Sequence, residues 1–375
     1  MNAITIAAIE TVPFSAPLTV PVRYGKIERR RSASVLIRLR ADSGLVGYGE
    51  ACAVPQLTGE SAESIVSVVD LYWRNAIVGT DVMNWRRTMA EIRRRFPKSF
   101  VAMSAVETAM LDLAGKSLGV PAFCLLGGKY RERIELCASI SWNASAEAMA
   151  EDAARKSTEY AVLKVYVGPD DVALDLRRLE AVRAAAGDKA RIMLDAKGLW
   201  PAHTAIAAAP ALKDLGVFLV EQPVAPEDKS GAAAVTRVYL ERYGMLTAAD
   251  ESVETSEDVL QLSGALQFSS LNIGVTKMGG PEAAMRAAHV AQAATMPILI
   301  GSFAELGIAT AAGIHLAAAT AELVAPSYLS GPDRFTQTIT YPTLLPQAGH
   351  VSLPEGAGLG VAVDEDCIAA MASMS

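Results

Sequence analysis

Three acidic residues close apolar runs: Asp195 in IMLDAKG, Glu221 in FLVEQP and Asp250 in LTAADES. A carboxylate at the end of a buried run is destabilising unless a cation or hydrogen-bond donors meet it. Singly, each also reads as a helix cap or the partner of a barrel lysine. On consecutive strands, three of them converge on one mouth and repel one another unless a metal joins them. Oxygen donors with no histidine nearby select a hard ion, Mg²⁺ first. A fourth run, AVLKVYVG (161–168), carries Lys164 and Tyr166 two residues apart. In a strand those two side chains share one face.

These residues need a scaffold that brings strand ends together. From about residue 135, short apolar runs alternate with amphipathic stretches such as DVALDLRRLEAVRAAAG. The runs are ELCASIS, AVLKVY, ARIMLD, VFLVEQP, MLTAAD, SSLNIG, MPILIGS and AELVAP. Their ends fall about 25 to 30 residues apart, the rhythm of strand–helix units. Eight such strands close a parallel barrel with catalytic groups at the C-terminal ends. The first third differs. ITIAAIETVPF and SVLIRLRADSGLVGYGEA predict strands, the latter turning at Asp42-Ser43-Gly44. SAESIVSVVDLYWRNAIVG and SFVAMSAVETAMLDLAGKSLG predict helices, the second stopped by Gly119 and Pro121. Residues 335–375 lack the strand–helix rhythm and are expected to pack back on the first domain.

The chain has 375 residues and a formal net charge of −7, which argues against nucleic acid or an anionic membrane as partner. Arg29–Arg31 and Arg93–Arg95 are read as solvated faces. Cys52, Cys124, Cys137 and Cys367 have no metal-ligand spacing and fit reduced thiols. The N-terminus lacks a charged leader pattern, and no run reaches about 18 uninterrupted apolar residues. A cytoplasmic protein is the expectation.

Several segments resemble the enolase superfamily, specifically the mandelate racemase/muconate lactonizing enzyme family and its muconate-lactonizing-enzyme-like subgroup. GLVGYGEA and LTGES resemble its capping-domain strand and loop, and AVETAMLDLAGKSLGVPAFCLLGG its domain-junction helix. LVEQP, ADES, KMGGPEAAMRAAHVAQA and GSFAELGIATAAGIHLAAA resemble barrel segments in the same order. The resemblance implies an α/β fold: a modified TIM barrel, (β/α)₇β, with an α+β capping domain. The expected boundaries are 1–128 for the capping domain, 129–334 for the barrel and 335–375 for the returning segment. It implies Mg²⁺ on Asp195, Glu221 and Asp250, a small carboxylate substrate and a homo-oligomer. Its shared chemistry is an enolate formed beside a carboxylate, by proton abstraction, addition or lactone opening.

The chain departs from that pattern at both usual acid/base lysines. The subgroup carries K-x-K at the second strand end; here Lys164 is kept and Tyr166 replaces the second lysine. In GVTKMGG, Gly274 stands where the sixth-strand lysine belongs, and Lys277 matches the later, usually non-catalytic one. None of His203, His289, His315 or His350 ends a barrel strand, so a histidine base is absent too.

Three roles are open to Tyr166: acid or base, hydrogen-bond donor to substrate, or aromatic wall. Lys197, two residues after Asp195, faces the mouth if the strand continues. It then holds a substrate carboxylate or acts as base with a lowered pKa. The alternative is that it pairs with Asp250, Glu251 or Glu221. Lys164 is expected to polarise the substrate carboxylate, and Glu305 to orient the substrate or a lysine. The loops VPVRYGK (20–26) and VPQLTGES (54–61) match segments that close over the substrate, with Arg23 and Tyr24 as candidate contacts. With one proton-transferring group, the expected reaction is a cycloisomerisation or dehydration. The alternatives are a metal-binding protein without catalysis, or an epimerase using Lys197 and Glu305.

Overall fold

The computed structural model describes residues 4–24, 27–168, 171–329 and 331–373, with side chains given for those outside 22–28. The chain opens with an antiparallel meander of β1 (Ile6–Tyr24), β2 (Ile27–Ala41) and β3 (Val46–Ala53). The helix Phe100–Leu118 lies against β3 and is buried from Val101 to Gly115. Gly47 and Gly49 permit this approach: a Cβ at either would meet the carbonyl of Ala109 or Ala105 at 2.3 or 1.8 Å. That is the physical content of GLVGYGE. The helix ends at Gly119 in the left-handed conformation, as the sequence predicts. A helix the sequence reading did not include, Trp85–Arg95, packs beside it.

The short β4 (Arg133–Glu135) precedes a seven-stranded parallel sheet. Its strands are β5 (Ala138–Ile140), β6 (Val162–Tyr166), β7 (Arg191–Asp195), β8 (Val217–Glu221), β9 (Leu246–Ala249), β10 (Ser270–Gly274) and β11 (Ile298–Gly301). Each of the first seven predicted runs holds one strand. The eighth run and the residue after it close the sheet by single bridges, Leu323 to Ile298 on one edge and Ser327 to Leu136 on the other. The structure is an α/β barrel with a capping domain. β12 (Thr340–Tyr341) pairs with β14 (Ala362–Val363), and β13 (His350–Ser352) returns to β4. The last helix, Glu365–Ala372, is tied to the meander, where Arg38 and Tyr48 both donate to Glu365 at 2.5 Å.

Arg93 corrects the reading of its cluster as a solvated face. Its guanidinium bonds the buried Glu107 and donates to the Gly279 carbonyl at 2.9 Å. Among the described residues, no helix is long and apolar enough to cross a membrane.

Candidate active site

The barrel interior explains why the acids stand where they do. Val162, Met193, Leu219, Ala248 and Leu299 point inward and form an apolar floor with Cys137, Ala325 and Tyr328. Two residues further along each strand, the strand period brings the same face upward. Those positions hold Lys164, Asp195, Glu221, Asp250 and Gly301. Tyr166, Asp195 and Glu221 are paired side by side in the β6–β7–β8 register. Asp250 follows the last residue of β9.

The three acids converge: one oxygen from each lies within 4.8 Å of the others. Three ammonium groups surround them. Lys164 Nζ lies 2.9 Å from Asp195 and 2.7 Å from Glu221. Lys197 Nζ lies 3.0 Å from Asp195 and 3.3 Å from both Asp250 and Glu251. Lys277 Nζ donates to Asp250 Oδ1 at 2.7 Å. Lys197 therefore pairs with Asp250 and Glu251 as one sequence reading held, and with Asp195 rather than Glu221. It reaches the mouth by a different route from the one expected. The strand stops at Asp195, whose Oδ1 accepts the Lys197 N–H at 3.1 Å, and Lys197 turns with φ of 50°. This is a side-chain turn of the Asp type, not strand continuation. Gln222 and Ala304 also have positive φ, 38° and 60°. All three follow barrel strand ends, where strained backbone gathers at functional sites.

Charge and burial compete at every group. Burial opposes the Lys164 ammonium, but Asp195 and Glu221 outweigh it and hold the group well above the usual lysine range. Lys197 is likewise opposed by burial and held up by Asp195, Asp250 and Glu251. Burial raises Asp250 and Asp195 too, yet neighbouring lysines keep both below the usual carboxylate range. Glu221 goes the other way: burial, with Asp195 and Asp250 beside it, pushes it up to about 8 despite Lys164. Burial holds the Tyr166 phenol well above its usual range, against the pull of Lys164. The lowering expected from Mg²⁺ and Lys164 together thus does not come from Lys164 alone.

The donor set fits a divalent metal. It consists of carboxylate oxygens alone, which suits Mg²⁺. Glu221 Oε2 is buried and has no hydrogen-bond partner among the described residues, an expensive state for a lone pair unless a cation completes it. Four carboxylates, Asp195, Glu221, Asp250 and Glu251, face the ammoniums of Lys164, Lys197 and Lys277. The balance is one positive charge short of neutral, and Glu221 bears that strain.

A cavity of about 1670 Å³ opens above these groups. Lys164, Tyr166, Lys197, Asp250, Gly274 and Glu305 all line it. Glu305 is 3% exposed and accepts the Thr276 hydroxyl at 2.6 Å. Val20 and Pro21 from the first predicted loop, with Thr19 just before it, and Gln56, Leu57 and Thr58 from the second also line the cavity. The side chains of Arg23 and Tyr24 lie outside the described residues. His315 is fully buried on the helix Gly307–Ala319, bonded to the Leu359 carbonyl, and His203 and His289 lie on helices.

Sequence reasoning missed the supports. Asn272 donates to Glu221 Oε1 at 2.9 Å, and Gly301 leaves room for it, since a Cβ there would fall 2.3 Å from Asn272 Oδ1. Gln222 Oε1 accepts the Asp250 and Ser252 N–H groups and so fixes the loop that presents Asp250. Tyr328 holds its ring 5.3 Å from Lys164 Nζ, as does Tyr166. The alternation that places Asn272 beside Gly301 is visible only once β10 and β11 are paired.

The Enolase C-terminal domain-like family matches residues 146–367, and the Mandelate racemase / muconate lactonizing enzyme, N-terminal domain family matches 7–127. L-Ala-D/L-Glu epimerase of Bacillus subtilis (strain 168) is 31% identical, covering 95% of this chain and 96% of its own. Muconate cycloisomerase 1-1 of Acinetobacter lwoffii is 30% identical over 98% and 96%. The crystal structure of muconate lactonizing enzyme from Pseudomonas fluorescens with muconolactone superposes with a TM-score of 0.93 at 28% identity, covering 99% of this chain and 100% of that one. The chain belongs to the mandelate racemase/muconate lactonizing enzyme family of the enolase superfamily.

Proposed function

We propose that the protein is a Mg²⁺-dependent enzyme that stabilises the enolate of a small carboxylate substrate, by chemistry of the cycloisomerase or dehydratase type. The observation that carries this reading is the convergent oxygen triad with its unpartnered Glu221 oxygen. Asp195, Glu221 and Asp250 would hold the metal, which supplies a Lewis acid and fixed positive charge. Lys164 and Lys197 place two ammonium groups on the same rim, where they bind the substrate carboxylate and meet the charge that develops on it.

Tyr166 occupies the position of the missing second-strand base. A phenol is protonated at neutral pH, so its Oη enters as a donor. It delivers a proton to the enolate carbon after ring closure; in a dehydration the one group would serve twice, its phenolate form taking the α-proton and returning it to the departing hydroxyl as water leaves. Gly274 offers no group for a second proton transfer on the sixth-strand side. That asymmetry favours one-group chemistry over exchange of configuration, although relatives bear names of both kinds. The test is incubation in D₂O with Mg²⁺ and a library of acid sugars, muconolactone-type lactones and amino-acid derivatives, followed by NMR. The expected result is turnover or deuterium at the α-carbon that stops on adding EDTA and drops sharply in Tyr166→Phe. Silence across the library would leave a metal-binding protein without catalysis.

A further inference from the structure

Glu305 stands outside the charge balance of the triad. A dication turns the triad's excess of one negative charge into an excess of one positive, which the substrate carboxylate neutralises. Glu305 adds a further negative charge at 3% exposure. Its Oε1 has the Thr276 hydroxyl, but its Oε2 is buried with no partner, and it forms no ion pair among the described residues. The adjacent lysine is not available to it. Lys277 has three N–H bonds, and they are taken by Asp250 Oδ1 at 2.7 Å, the Asp250 carbonyl at 2.7 Å and the Asn272 carbonyl at 2.8 Å. Glu50, another buried acid, lies close enough to feel the Glu305 charge and adds to the negative field. A buried carboxylate without a counter-ion is strongly disfavoured, so this one is built to meet a cation.

The space for that cation is at Gly274. The residue lines the cavity beside Thr276 and Glu305. A Cβ there would have the Gly301 carbonyl oxygen at 3.1 Å, its carbon at 3.6 Å and Lys277 Cβ at 3.9 Å, so glycine leaves this stretch of the cavity wall without a side chain. Position 274, where the family pattern has a lysine, carries no side chain here.

We infer that the substrate supplies the missing cation. It is a small zwitterion, an amino acid or betaine, whose ammonium lies over Gly274 against Glu305 while its carboxylate meets the metal-loaded triad and Lys164. With such a ligand the charges of the metal-loaded triad, its lysines, Glu251 and Glu305 are balanced. A second carboxylate, as ring closure to a lactone requires, would meet Glu305 as a like charge, so the inference favours elimination within the enolate reading on which it rests.

The test uses pairs of ligands that differ only by replacing a cationic nitrogen with carbon. Glycine betaine is set against 3,3-dimethylbutanoate and L-proline against cyclopentanecarboxylate, by calorimetry on the Mn²⁺-loaded protein. The expected result is at least a tenfold preference for the nitrogen member of each pair. In Glu305→Gln, which keeps an acceptor for Thr276, the preference falls to near one while Mn²⁺ affinity, read by electron paramagnetic resonance, is unchanged. Gly274→Lys places an ammonium on that stretch of wall and abolishes binding of the zwitterions alone. Should Glu305→Gln not fold, the wild-type pairs and Gly274→Lys still decide. Neutral carboxylates that bind as tightly as their zwitterionic partners, in a metal-dependent way, overturn the inference and leave the enolate reading intact. A preference that survives in Glu305→Gln also overturns it. Carboxylates of both kinds that ignore the metal overturn the inference together with that reading.

Discussion

Two sets of buried acids lie within this molecule, and they are held in opposite ways. At the domain junction, Glu50 accepts the N–H groups of Leu306, Ile308 and Ala309 at 2.7, 3.1 and 3.1 Å. Glu107 accepts from the N–H groups of Glu282 and Ala283, and Asp112 from those of Tyr48 and Leu359. Glu50 and Glu107 thus cap barrel helices from the other domain, satisfying donors that a helix start leaves free. Glu107 and Asp112 add one cationic side chain each, Arg93 and Lys116, to those backbone donors, whereas at the barrel mouth Asp195, Glu221 and Asp250 face mainly the ammonium groups of Lys164, Lys197 and Lys277. Backbone donors cannot leave; lysine side chains can swing to a ligand. Burial is the same in both sets. The donor decides whether an acid is mortar or machinery.

That contrast breaks most sharply on substitution of one acid from each set. Asp195→Asn is expected to lower metal-dependent turnover by roughly a thousandfold, as loss of a preorganised electrostatic group does, and to leave the melting temperature unchanged or higher. Relief of carboxylate repulsion is the reason, and a paired assay with thermal denaturation checks it. Glu50→Ala should show the reverse. Three N–H groups lose their acceptor, so denaturant unfolding should report a loss of about 3 kcal/mol with Mn²⁺ binding retained.

Acidification sharpens the same contrast where the helix Gly307–Ala319 meets the returning C-terminal segment, at the His315 bond to the Leu359 carbonyl. Burial lowers His315 from its ordinary 6.5 to about 4, so the folded protein keeps it neutral where the unfolded chain takes up a proton. Its contribution is complete above pH 6.5 and is lost as pH falls toward 4. The loss is up to about 3 kcal/mol, measured as unfolding free energy against pH. His315→Leu should flatten that slope. The smallest effect expected is at Lys197. Removing an ammonium 3.0 and 3.3 Å from two triad acids in Lys197→Met should tighten Mn²⁺ binding roughly tenfold. A mobile counter-ion competes with the metal; a fixed one would not.

The triad was legible because a charge that closes a buried run is an anomaly in one dimension. Asp195, Glu221 and Asp250 announce themselves without any knowledge of the neighbouring strand, and so does the Lys164–Tyr166 pair, which only the family resemblance turns into a broken K-x-K. The barrel was legible from its rhythm, although its eighth strand is reduced to bridges at Leu323 and Ser327. The supports were not. Asn272, Gln222 and Thr276 act across loops or strands, and nothing in their local sequence marks them. Arg93 looked like part of a solvated cluster because its partner, Glu107, lies on another helix. Lys197 was found for a partly mistaken reason: the expected strand gave way to a turn closed by Asp195 itself.

One titration tests the central claim, that the mouth acids form a divalent-cation site while the junction acids do not. Mn²⁺ is added to the wild type, to Asp250→Asn and to Glu107→Gln, following bound metal by electron paramagnetic resonance. Wild type and Glu107→Gln should each bind one ion per chain, and Asp250→Asn should bind at least about a hundredfold more weakly. Binding that is absent from the wild type, or that survives Asp250→Asn unchanged, would contradict the claim.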